Sequence, residues 1–160
     1  KGALHGCGAE SVTYVNTPSL AAEKGMTSSV STSEDSPLYR SMISLHASFA
    51  DGQSIIVDGT LMGIRKVEKI IAIDKFDLDL PTDENLLFIR YADKPGVVGI
   101  VGSALGKAGV NIGGMQVSRD EKAGEALMAI TMDSPVASDV ESSIVKETGA
   151  ALVRAVTLVS

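Results

Sequence analysis

The residues best suited to chemistry lie in one short run, Tyr91-Ala92-Asp93-Lys94-Pro95-Gly96, followed at a distance by Asn111. The pattern predicts that Tyr91 ends a strand, that Asp93 lies in a turn and that Pro95-Gly96 begin a helix. A helix start offers free backbone N–H groups and partial positive charge, which suits a carboxylate. Asp93 supplies the opposite charge, which suits an ammonium. Asn111 begins the next strand, which in a βαβ unit is expected near the same region of the sheet. Together these residues would make a non-covalent amino-acid site. A plainer reading has Asp93 capping the helix and Asn111 serving the turn after Gly109. Spacing alone favours the plainer reading.

A second candidate is the basic cluster in "GIRKVEKI", where Arg65, Lys66 and Lys69 fall within five residues. It reads as an anion site or as a solvated face, and such clusters are usually the latter. The segment "GSALGKA" at 102–108 is no phosphate loop. It has three residues between its glycines where four are needed, and Ala108 follows Lys107 where Ser or Thr is needed. No Ser-His-Asp or Cys-His arrangement is apparent, and the carboxylates show no paired spacing. No catalytic residue is therefore assigned.

Composition narrows the classes further. The chain has 160 residues, 44% of them apolar, enough for one ordinary domain or two small ones. Aromatic content is 4% with no Trp, so cores must be built from Val, Ile, Leu, Met and Ala. A net charge of −6 argues against nucleic acid as a partner. No apolar run approaches the roughly 18 residues of a membrane span. No signal peptide is recognised, which makes the cytoplasm the expected location. Cys7 is the single cysteine, and His5 and His46 are far apart, so no disulfide within the chain and no metal site are expected. The chain begins at Lys1, and "KGALHGCGAE" resembles the end of a helix, which leads us to expect a piece of a longer polypeptide.

Two units position these residues. In the first, "NTPSLAAEKG" predicts a short helix with Thr17 as N-cap, Pro18 at the first position and Gly25 as the stop. The Ser-rich segment 26–37 reads as an exposed strand or a loop. Strands follow at 39–49, 54–62 and 64–73, with an Asp51-Gly52 hairpin signal of type I′ and a turn near Asp74-Lys75. "FDLDL" at 76–80 alternates cleanly. The Pro- and charge-rich 81–85 marks a boundary. Beyond it the pattern reads strand 86–91, helix 95–108, strands 111–118 and 125–132, a helix opened by Ser134-Pro135 and ended by Gly149, and strand 151–159. That order is a ferredoxin-like βαββαβ sandwich. In its first helix Gly99, Gly102 and Gly106 share one face, each costing about 1 kcal/mol relative to Ala. They serve either tight helix–sheet packing or close approach by a partner or ligand.

At "NLLFIRYADKPGVVGIVGSALGKAGVNIGGMQVSRDEKAGEALMAITMDSPV" the chain resembles ACT domains, small regulatory modules that bind amino acids in metabolic enzymes. The D-K-P-G helix start, the A-G-V-N-I strand entry and the M-Q-V-S-R-D turn carry the likeness. Upstream, "VTYVNTPSLAAEKGM", "DGTLMGIRKVEKI" and "FDLDLPTDENLLFIRYADKPG" resemble the intervening, allosteric substrate-binding domain of the longer D-3-phosphoglycerate dehydrogenases. Nearly the whole chain thus resembles the C-terminal regulatory part of that family.

The resemblance implies an α+β chain, with a mainly antiparallel intervening domain at 1–82 and a ferredoxin-like ACT domain at 83–160. It implies L-serine as feedback effector, with Tyr91, Asp93 and Asn111 matching the family's effector-binding pattern, and self-association as a dimer or tetramer. It also implies an anion site between subunits. Lys69 matches one of its positions, while Pro81 and Thr131 stand where the family has arginines; Arg40, Arg65 or Lys66 would have to compensate. The family oxidises 3-phosphoglycerate with NAD to open serine biosynthesis. Neither G-x-G-x-x-G after a strand nor the family's Arg, Glu and His trio occurs here, so this chain is expected to carry no cofactor, with NAD held by the catalytic half of the parent enzyme. Two alternatives are the regulatory part of an iron–sulfur L-serine dehydratase and a stand-alone ACT-type sensor.

Overall fold

The computed structural model describes residues 12, 13, 15–32, 39 and 41–158, in two compact units, Lys1–Asp35 and Ser36–Ser160. Among its described residues the first unit holds one helix, α1 (Thr17–Glu23). Thr17 is the first helical residue rather than the cap, which is Asn16. The reason is local. Thr17 turns its hydroxyl back onto the Thr13 carbonyl, while Asn16 Oδ1 accepts from Thr13 N at 2.7 Å. Pro18 lies in the first turn, and Gly25 ends the helix with a φ of 66°. Residues 26–32 have no regular structure.

The second unit contains two antiparallel sheets. The first is a meander of β1 (Met42–Ser48), β2 (Ser54–Met62), β3 (Val67–Ile73) and β4 (Phe76–Pro81), in that spatial order. The β1–β2 link is longer than a type I′ turn. Phe49 N bonds to Gln53 O at 2.9 Å, Asp51 Oδ1 accepts from Gln53 N, and of Asp51 and Gly52 only Gly52 has positive φ. Ile64, expected in a strand, is instead exposed in the 63–66 turn, where Gly63 and Lys66 both have positive φ. Asp74, also at positive φ, closes the β3–β4 turn by accepting from Ile56 N at 2.9 Å.

The remainder runs β5 (Asn85–Ala92), α2 (Val97–Lys107), β6 (Ile112–Asp120), β7 (Glu125–Met132), α3 (Ser138–Thr148) and β8 (Leu152–Thr157). Its sheet has the order β6-β7-β5-β8, the ferredoxin-like arrangement expected. Helix α3 begins three residues after Pro135. Asp133 and Ser134 are engaged elsewhere: Asp133 bonds the Asn111 backbone through both its own N–H and its carboxylate, and accepts from the Ser134 hydroxyl.

Alternation along β5 divides its side chains between two cores. Leu87, Ile89 and Tyr91 meet Val97, Val101 and Leu105 of α2 and Ile144 of α3. Leu86 and Phe88 pack on the opposite face, against Phe76, Leu78 and Leu80 of β4. The first sheet thus covers the face of the second that the helices leave open. This explains "EALMAITM", a nearly unbroken apolar run, in β7: strands covered on both faces lose their alternation. No helix among the described residues is long and apolar enough to cross a membrane.

The three glycines of α2 answer the packing question. A Cβ built on Gly99, Gly102 or Gly106 meets no described atom within 4 Å, so they are not demanded by packing on the chain's own sheet. Phe76, 1% exposed, anchors the second core. Phe76→Ala is expected to lower the unfolding free energy by about 3–5 kcal/mol, read from urea denaturation.

Candidate functional site: a cleft at the end of β5

Tyr91, Asp93, Pro95, Gly96, Val98 and Arg119 contribute to the lining of an open cleft of about 340 Å³ where β5 passes into α2. Each wall has a local cause. Tyr91 is the last inward residue of β5, and its ring is held in the helix-side core. Asp93 N donates to Gly124 O at 2.8 Å, which ties the segment after β5 to the β6–β7 turn. Gly96 is the N-cap of α2 with a φ of 92°, a conformation a Cβ would strain.

No side chain caps α2, so the capping role open to Asp93 is not the one it takes. Its Oδ2 instead accepts from Arg119 Nε at 2.6 Å and lies 2.6 Å from a terminal guanidinium nitrogen. Arg119 projects from the far end of β6, a residue the sequence reading did not connect to the cleft. The signal was present in "MQVSRD": Arg119 lies two residues beyond Val117, another residue of the cleft wall. Hydrogen bonding to Asp93 raises the Arg119 pKa further above its ordinary value. Burial, then the Asp93 charge, raises the Tyr91 phenol, so it stays protonated at neutral pH. The cleft therefore presents an anion, a cation, a neutral hydroxyl and a helix start, the functional groups for binding a small zwitterion without chemistry.

Asn111 lies elsewhere in the chain. It precedes β6 at the end of the sheet where Ile112 pairs with Met132 and Met132 with Asn85. Tyr91 is at the opposite end of β5, and at the usual rise per residue the two ends are roughly 25 Å apart. The sequence reading placed Asn111 near the same sheet region. It does not lie there, because a βαβ crossover returns the chain to the starting end of the sheet.

Lys69 binds Asp79 at 2.5 Å and pairs across strands with Pro81. An anion there competes with Asp79 for the ammonium. Thr131, the other position of the resemblance, is buried in β7, Arg65 and Lys66 lie in the 63–66 turn, and Arg40 falls outside the described residues. The fold does bring a serine, a histidine and an aspartate together on β1 and β2. Ser44 Oγ donates to Asp58 and lies 2.9 Å from His46 Nε2. The hydroxyl proton goes to the carboxylate, and His46 does not stand between Ser44 and Asp58, so this is not a nucleophile relay.

A charged cluster joins the cleft's supporting turn to the first sheet. Lys75 Nζ lies 2.7 Å from Asp120 and 2.9 Å from Glu125, and Arg90 binds Glu125 at 2.9 Å. Hydrogen bonds from Lys75 to Asp120, and from Arg90 and Lys75 to Glu125, lower both carboxyl pKa values.

Residues 85–148, the span that holds Tyr91, Asp93 and Arg119, match the ACT domain family, which agrees with the fold. The chain carries an ACT domain. Among curated proteins it is similar to D-3-phosphoglycerate dehydrogenase from Mycobacterium leprae, 40% identical over 136 residues, which are 85% of this chain and 26% of that protein. The protein of the same name from Bacillus subtilis is 35% identical over 136 residues, 85% of this chain and 25% of its own length. That from Synechocystis is 33% identical over 151 residues, 93% of this chain and 26% of its own length. The chain spans about a quarter of the length of the curated relatives it matches.

The cluster predicts a pH dependence. Carboxyls whose folded pKa is depressed stabilise fully above their ordinary values, 3.8 for Asp120 and 4.5 for Glu125, and lose that contribution as pH falls through the lower folded values. Thermal melts from pH 6 down to about pH 2 should show stability falling through and below the ordinary carboxyl range. Lys75→Met should flatten that fall; an unchanged slope would remove the cluster from the explanation.

Proposed function

We propose that this chain is the amino-acid-sensing and assembly portion of a D-3-phosphoglycerate dehydrogenase, with L-serine as the feedback effector of serine biosynthesis. The observation that carries the reading is the convergence of the Asp93 carboxylate and an uncapped helix start on one open cleft of an ACT fold. In this reading the ligand's ammonium meets Asp93. Its carboxylate meets the first amides of α2, and Tyr91 forms a wall.

Self-association gives Asn111 its role. β6 is an edge strand, and edges invite pairing. The glycine face of α2 has open space beside it, as close approach of a second helix requires. If two β6 strands pair antiparallel about a two-fold axis near Gln116, residue 112 of one lies opposite residue 120 of the other. Asn111 of the partner subunit then comes to the Asp93–Arg119 end. A symmetric dimer closes two such sites.

Oxidation of 3-phosphoglycerate and binding of NAD belong, in this reading, to the catalytic part of the longer relatives. The residues described here do not fit a dinucleotide. Every strand pair is antiparallel, and the link from β5 to α2 has Pro95-Gly96 in place of a glycine-rich phosphate turn.

Calorimetry with L-serine tests the assignment: absence of heat and of a thermal shift at millimolar ligand would sink it. Asp93→Ala is expected to weaken binding ten- to a hundredfold, about the worth of one charged hydrogen bond. Light scattering should show at least a dimer. The shared site has its own signature. Asp93→Ala and Asn111→Ala chains, each impaired alone, should regain strong binding on mixing, because a mixed dimer has one intact cleft. Failure to regain it would place Asn111 outside the site.

A further inference from the structure

We propose that Arg119 determines which ligands the cleft accepts: its guanidinium takes the carboxylate of a free α-amino acid while Asp93 takes the ammonium, the ligand inserting into the ion pair. The inference rests on the reading that the cleft binds an amino acid, and it gives the ligand's carboxylate, beside the first amides of α2, a second partner that selects for it.

Three observations converge. First, the pair lies in the cleft wall itself, with Arg119 and Asp93 both among its lining residues. Second, the contact is one-sided. Arg119 Nε and one terminal nitrogen both address Asp93 Oδ2. Neither of these contacts uses Oδ1 of Asp93 or the other terminal nitrogen of Arg119. Each partner thus retains capacity toward a ligand. Third, exposure is unequal: the Asp93 side chain is 19% exposed and that of Arg119 58%. The carboxylate is the fixed member, and the guanidinium has the freedom to move aside.

The chemistry follows from the charges. A zwitterion inserted between Asp93 and Arg119 replaces one ion pair with two, so neither protein charge is left uncompensated. A ligand lacking its carboxylate pairs Asp93 and strands Arg119. One lacking its amine does the reverse. An exposed ion pair is weak on its own, so opening it is a small obstacle to the correct ligand. The planar guanidinium also matches a carboxylate with two parallel bonds, which the amides of α2 supply less selectively.

The experiment is calorimetry on the intact chain with L-serine, glycine, L-serinamide and 3-hydroxypropanoate. The wild type should prefer L-serine over L-serinamide by about tenfold or more. Arg119→Met should weaken L-serine binding about tenfold and bring L-serinamide within about twofold of it, keeping discrimination against 3-hydroxypropanoate. Asp93→Asn should do the converse, and Arg119→Lys should fall between wild type and Arg119→Met. A thermal melt checks that each variant is folded. If Arg119→Met retains both the affinity and the preference, the inference is overturned while serine sensing stands, with the carboxylate held at the helix start. If glycine binds with the same dependence on Arg119 and L-serine does not, the serine assignment falls and the inference survives. If no probe binds the wild type, both fall.

Discussion

The molecule depends on one constraint: the central strands of the ACT sheet are covered on both faces. Helices α2 and α3 take one face, and β4 of the neighbouring sheet takes the other through Phe76, Leu78 and Leu80. Ile89, Ala126, Met128, Ala129 and Ile130 are fully buried as a result. A strand with no solvated face has little room for a charged group along its length. Polar function is therefore pushed to the strand ends, and the cleft forms where β5 runs out.

The same constraint explains why the cleft and the first sheet share a support. The β6–β7 turn carries Asp120 at its start and Glu125 just after it, and Lys75 of the β3–β4 turn reaches both. The other side of that turn receives the backbone N–H of Asp93 at Gly124. Arg119, adjacent to Asp120 in β6, holds the Asp93 carboxylate. Anything that moves the ion pair acts on a segment already anchored in the first sheet. Gln116 adds a second tie, its side-chain amide exchanging hydrogen bonds of 2.8 and 3.0 Å with the Asp79 backbone. These contacts are contiguous, a network of the kind that can carry energetic coupling between the sheets.

Helix α2 separates two tasks by face. Val97, Val101 and Leu105, four residues apart, enter the core. Gly99, Gly102 and Gly106 lie off that stripe and leave space beside the helix. Glycine in a helix interior costs stability, and no close contact among the described residues compensates for it. The glycine face and the edge position of β6 both suit the proposed approach of a second copy.

The order of elements was legible in the sequence alone, because hydrophobic period and turn residues are local properties. β2 and β7 have the bounds read from the pattern, and Gly109 and Gly149 stop α2 and α3 as expected. Local signals failed where a distant group claimed the residue. Ser134-Pro135 looked like a helix start, but Asp133 serves the Asn111 backbone and takes the Ser134 hydroxyl onto its carboxylate. The cleft was half legible. Tyr91 and Asp93 are near neighbours in sequence, so their proximity needed no tertiary information. Tertiary structure alone decided that Asp93 would hold Arg119, twenty-six residues away, and that Asn111 would stand at the far end of the sheet. The reason is that strand pairing and the direction of a crossover are set by how the apolar faces close on one another, and no window of the sequence records that closure.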